Sequence, residues 1–147
     1  MNTLIIYPGR FHPFHKGHKH VYDTLVGKFG KDNVFISTSD KVDPPKSPFS
    51  FKEKQRMIAL TGVDSSRVVQ VKNPYQAQEI TQNYDAENTV LMFAVSQKDM
   101  DEDPRFAFKP KKDGSPSYFQ PAGKKMETMD KHGYIITIPT LNFKVLG

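Results

Sequence analysis

The sequence predicts an α/β fold built on an open, mostly parallel five-stranded sheet with helices on both faces. Three observations lead there. Strand-like and helix-like segments alternate along the chain, the strand segments include strongly apolar runs, and the interval between the first two is filled by a helix, which favours a parallel crossover over a hairpin. At 147 residues the chain has the length of one domain. With 37% hydrophobic and 25% charged residues, and with 11 Phe and 6 Tyr, it has the composition of a chain that builds a packed core.

Leu4-Ile5-Ile6-Tyr7 reads as a first buried strand, ended by the turn signal Pro8-Gly9. Val21, Leu25 and Val26 share one helical face, and Gly30 is a plausible stop, so a helix is expected from about Gly17 to Phe29. Asn33 to Thr38 follows as the second strand. Residues 40 to 49, with three prolines, read as a surface loop. Ser50-Phe51-Lys52-Glu53 has the capping-box form and starts a helix reaching about Thr61. Arg67 to Lys72 is expected as the third strand, Gln76 to Tyr84 as a short polar helix, and Thr89 to Ser96 as a strongly apolar fourth strand. Gln97 to Gly123, with four prolines and many charges, reads as a long loop or small insertion. A further helix is expected over Lys124 to Lys131 and a fifth strand over Tyr134 to Thr140, where Pro139 places its end at an edge or beyond the ladder.

The absence of cysteine excludes disulfides, thiolate metal sites and a cysteine nucleophile. Met1-Asn2-Thr3 runs straight into an apolar strand without a charged leader, and no stretch nears the ~18 apolar residues of a membrane span, so a cytoplasmic protein without a membrane partner is expected. The net charge of +5 fits an anionic partner. Lys and Arg are spread along the chain without an Arg-rich tract or an RNA-binding aromatic motif, which argues against a dedicated nucleic-acid binder. The oligomeric state stays open, a homo-oligomer included.

Four of the five histidines, His12, His15, His18 and His20, fall within nine residues, interleaved with Gly9, Arg10, Phe11, Pro13, Lys16 and Gly17. They lie between the first strand and the first helix, where open α/β sheets bind ligands and where a helix N-terminus stabilises anionic oxygens. Gly9 and Gly17 let backbone approach a ligand closely, and Arg10, Lys16 and the imidazoles add donors. A zinc or nickel site and ordinary surface placement are the competing readings. The first does not explain the interleaved Gly9, Pro13 and Gly17, and the second does not explain the clustering.

The run Gly9-Arg10-Phe11-His12-Pro13-Phe14-His15-Lys16-Gly17-His18 resembles the loop of the HxGH nucleotidyltransferase superfamily, and within it the archaeal-type nicotinamide mononucleotide adenylyltransferases. The resemblance implies a Rossmann-like fold and transfer of a nucleoside monophosphate, AMP from ATP in the first instance, to a phosphorylated small molecule with release of pyrophosphate. It assigns triphosphate contacts to His15 and His18, with His18 on the α-phosphate, and makes Gly9, Arg10, Phe11, His12 and Gly17 nucleotide-binding positions. In-line attack on the α-phosphorus builds charge on the non-bridging oxygens, which positioned donors stabilise without a general base. Mg²⁺ is the implied cofactor, entering with the nucleoside triphosphate.

Further along, Lys46-Ser47-Pro48-Phe49-Ser50 resembles the family's run after the second strand and makes Lys46 the first choice for a second phosphate contact, ahead of Lys41; the role of Arg56 stays open. Ser96-Gln97-Lys98-Asp99 is similar to the family's Gly-x-Lys-Asp element, with Ser96 in place of the glycine, so Ser96, Lys98 and Asp99 are expected at the nucleotide, and Arg105 near phosphate. Family members usually continue into an Ile-Ser-x-Thr-x-x-Arg type of motif at a further helix; the chain stops at Leu146-Gly147, so a single domain lacking that C-terminal helical element is expected. The acceptor, nicotinamide mononucleotide or phosphopantetheine, stays open. So does the choice between ATP and CTP, and the alternative of a nucleotide-binding module with little or no turnover.

Overall fold

In the computed structural model, residues 1–11, 13–45, 48–96 and 110–138 are described. Among the described residues six strands form one sheet: β1 (Asn2–Pro8), β2 (Val34–Thr38), β3 (Val68–Gln70), β4 (Thr89–Ser96), β5 (Phe119–Pro121) and β6 (Gly133–Ile138). Their spatial order is β3-β2-β1-β4-β6-β5, and every neighbouring pair is parallel. This is the expected Rossmann-like α/β architecture with one strand more. The chain steps outward from β1 through β2 to β3, then returns to place β4 on the opposite side of β1. The strand order therefore reverses between β1 and β4, which opens a crevice at their carboxyl ends.

The central strands are apolar on both faces because both faces are covered. On one face Ile5, Tyr7, Ile36 and Met92 pack against helix α1 (Lys16–Phe29) through Tyr22 and Leu25 and against helix α2 (Phe51–Leu60) through Phe51 and Ile58. On the other, Leu4, Ile6, Leu91 and Phe93 meet Ala77, Ile80 and Met129. Successive residues of β1 thus serve opposite layers, and Leu4, Ile5 and Ile6 are all fully buried. At roughly 1.5–3 kcal/mol for each large apolar side chain removed from water, these strands dominate the stability of the sheet. Ser50 starts α2 as expected: its hydroxyl accepts from the Glu53 N–H at 3.3 Å and the Glu53 carboxylate accepts from the Ser50 N–H at 3.1 Å.

Three expectations change. The polar helix of residues 76–84 shrinks to one turn, α3 (Gln78–Thr81), because Ala77 before it takes a left-handed conformation (φ 49°) while buried in the second layer. Phe119–Pro121, within the expected loop, forms the edge strand β5. Gly133 makes this pairing feasible, since a Cβ there would stand 2.8 Å from the Phe119 ring. Finally, no helix forms over Lys124–Lys131. Backbone groups there are used sideways: the Met129 N–H donates to the Thr89 carbonyl, the Asp130 N–H to the Ala86 carbonyl and the Glu127 N–H to the Tyr134 hydroxyl. Met129 then fills the second layer in place of a helix face. The last strand begins at Gly133; Pro139 and Thr140 lie outside the described residues. Among the described residues no helix is long and apolar enough to cross a membrane.

Candidate functional site

At the carboxyl end of β1, Gly9 to Phe11 and Pro13 to His15 lead from the strand to the first helix. Gly9 turns the chain at the strand end, its N–H donating to the Ser37 carbonyl at 3.1 Å. A Cβ at this position would lie 2.6 Å from the tip of the Phe11 ring, so a side chain does not fit without moving that ring. Phe11 adopts φ 53°, costly for a bulky residue and sustained here by packing: its ring is buried edge-on against Tyr7, Phe14 and His18. The Phe11 ring therefore packs beneath the loop and supports His18.

The histidine pair caps the first helix. His15 is the N-cap of α1, and its Nδ1 accepts from the Gly17 N–H at 3.0 Å, while the His18 Nδ1 accepts from the His15 N–H, also at 3.0 Å. This is a capping box written in imidazoles, and it orients both rings. Because Nδ1 of each ring is an acceptor, the ring proton of each resides on Nε2, which leaves two N–H donors at a helix N-terminus. The rings stack with centroids 3.8 Å apart. Burial of the His18 ring, with the facing His15 imidazole as a smaller cause, lowers its pKa from 6.5 to about 4. At neutral pH His18 is thus an uncharged donor.

The remaining expected residues divide by position. Arg10 and Lys16 are exposed at the loop, and Gly17 is buried in the first turn of α1. Ser96 is the last residue of β4, half-buried, at the same carboxyl edge of the sheet. Lys41 and Arg56 are exposed. His12, Lys46, Lys98, Asp99 and Arg105 lie outside the described residues. An open groove of about 650 Å³ adjoins His15, with Lys16, Lys19 and His20 also among its walls. Among the described residues, no three His, Asp or Glu side chains converge as metal ligands.

One buried cation close to the first loop escaped the sequence reading. Lys54 is fully buried within α2, and its ammonium donates to Thr38 Oγ1 at 2.9 Å. The signal was present: Phe51, Lys54 and Ile58 form one buried stripe of α2, and a lysine in such a stripe needs a polar partner.

The cytidylyltransferase-like family matches residues 6–114. Over 68 residues the chain is 34% identical to nicotinamide-nucleotide adenylyltransferase 1 of Sulfolobus acidocaldarius, a stretch that covers 44% of this chain and 39% of that protein. It is 30% identical over 73 residues to the nicotinamide-nucleotide adenylyltransferase of Saccharolobus solfataricus, covering 47% of this chain and 42% of that one. The match thus spans about two fifths of the length of these relatives.

Proposed function

Because the chain belongs to the cytidylyltransferase-like family, we propose that it is a nucleotidyltransferase that transfers AMP from ATP to a phosphorylated small molecule, nicotinamide mononucleotide first among the candidates, and releases pyrophosphate. The observation that carries this reading is the pair of oriented Nε2–H donors, His15 and His18, at the N-terminus of α1 where the strand order reverses. The names of the two relatives support the adenylyl group and the acceptor. The family description keeps CTP as the alternative donor.

In this mechanism a phosphate oxygen of the acceptor attacks the α-phosphorus in line, the new P–O bond forms, and the bond to the pyrophosphate oxygen breaks. The attacking phosphate is already ionised near neutral pH, so no base has to remove a proton. His18 Nε2–H donates to a non-bridging α-oxygen, and His15 Nε2–H to the oxygens toward the departing pyrophosphate. A neutral His18 cannot lose its donor by releasing a proton as the local charge changes, and its fixed orientation requires no rearrangement during the reaction. Lys46, Lys98 and Asp99, with the exposed Arg10, are further nucleotide-binding candidates beside Gly9, Phe11, His12, Gly17 and Ser96. Mg²⁺ belongs to the substrate here, carried on the triphosphate, since that cation retains water and phosphate oxygens and requires few protein ligands.

Pyrophosphate release, measured with ATP or CTP and Mg²⁺ across nicotinamide mononucleotide and phosphopantetheine, tests the reading. The expected result is release that depends on both nucleotide and acceptor. Nucleotide binding without release for any acceptor would instead identify a binding module.

A further inference from the structure

Lys54 has no place in the mechanism above, yet it is among the large side chains that are fully buried. Burying an ammonium is costly unless it is hydrogen-bonded, and among the described residues its Nζ makes one hydrogen bond, 2.9 Å to Thr38 Oγ1. Burial pushes its pKa down, and the nearby Asp40 carboxylate pushes it back up. Asp40 is itself tied down, its Oδ1 accepting from the Phe51 N–H at the start of α2 at 2.7 Å.

The position of Thr38 gives this bond its consequence. Thr38 ends β2, and since its oxygen accepts from the ammonium, its own hydrogen is directed elsewhere; it donates to the Arg10 carbonyl over a long 3.5 Å. A charged donor polarises the hydroxyl and strengthens the bond the hydroxyl donates. Beside this contact the Gly9 N–H donates to the Ser37 carbonyl, so the last two residues of β2 hold two consecutive residues of the first loop. Phe11, next in the chain, carries the ring against which His18 rests.

We propose that Lys54 is a positioning residue whose buried ammonium, acting through Thr38 Oγ1 on the Arg10 carbonyl, holds the first loop and with it the histidine pair in register for nucleotide phosphates. The role rests on the nucleotidyltransferase reading for its purpose but not for its geometry. It also places a positive charge beneath an anion site without exposing it to water, where salt would screen it.

Two variants test it. Lys54→Met keeps the unbranched apolar stem and removes the charge and donor; Thr38→Val keeps the shape and removes the relay. Lys54→Met should retain global stability by urea denaturation, whereas Thr38→Val, which leaves the buried ammonium without its partner, should lose part of it; in both, hydrogen exchange at the Gly9 amide speeds up about tenfold and the ring signals of His18 shift in NMR spectra. ATP·Mg should bind about tenfold more weakly to each, with the KM for the acceptor unchanged, and the double variant should be no worse than either alone. Lys54→Arg, which restores a charged donor, should recover most of the binding. Unchanged Gly9 exchange and His18 signals in both single variants would overturn the proposal. Absence of nucleotide binding in the unmodified protein would sink the nucleotidyltransferase reading alone, and the exchange and ring signals would still decide the positioning role.

Discussion

The low proton affinity of His18 makes a quantitative prediction about the folded protein. Unfolded, the ring titrates at its ordinary 6.5, and folded at about 4. A drop of that size corresponds to ~3 kcal/mol of preference for the neutral ring at ~1.4 kcal/mol per pH unit. Because the ring is only half-buried, solvent screening should leave about half of that as stability, ~1–2 kcal/mol. The sign follows from proton binding: between pH 6.5 and 4 the unfolded chain holds more protons, so stability is full above 6.5 and is lost as pH falls through that window toward 4. Other groups titrate as well, so the measurement is a difference. Urea-denaturation free energies of the native protein and of His18→Asn, followed from about pH 7.5 to pH 4, should converge on acidification by that ~1–2 kcal/mol. Imidazole NMR should place the His18 midpoint below 6, and in His15→Asn the midpoint should rise by less than half of the total depression, because burial outweighs the His15 contribution. A native midpoint at 6 or above, or a pH-independent difference between the two proteins, would refute the account of His18 as a neutral donor.

Replacing His18 by Ala should leave the sheet folded and lower nucleotidyl transfer by about 100-fold or more in a pyrophosphate-release assay, as for any lost transition-state donor. Gly9→Ala should cost about 1–3 kcal/mol in denaturant unfolding, because the new methyl must displace a buried Phe11 ring hemmed in by Tyr7, Phe14 and His18. Ser50→Ala removes the cap of α2 without touching the crevice, so it should lower stability by ~1 kcal/mol and leave ATP binding by calorimetry unchanged. ATP with Mg²⁺ should raise the thermal midpoint of the native protein, and no shift at about 100-fold excess over a micromolar Kd would contradict nucleotide binding.

Much of the architecture was legible in the chain itself because its determinants are local. The apolar runs at Leu4–Tyr7 and Thr89–Ser96, the Ser50–Glu53 capping box and the helical spacing of Val21, Leu25 and Val26 act within a few residues, and each reappears as β1, β4, α2 and α1. The clustered histidines pointed to the head of the first helix, where His15 and His18 stand. The expected helix over Lys124–Lys131 failed for a nonlocal reason. Its backbone N–H groups found carbonyls at Ala86 and Thr89, some forty residues away in sequence, and a helical pattern cannot reveal such competitors. The same holds for β5, three residues long and paired where Gly133 leaves room for the Phe119 ring.

The site divides along the same line. Sequence alone determined that two histidines three residues apart would sit at a helix N-terminus after an apolar strand, since strand, turn and cap are all written in neighbouring residues. Only the tertiary structure decided that burial lowers the pKa of His18, that the Phe11 ring is buried against Tyr7, Phe14 and His18, and that Lys54 is buried and bonded to Thr38. Proton affinity and burial depend on the atoms that surround a group, and those atoms come from β2, α2 and the first loop, which meet only when the parallel sheet assembles.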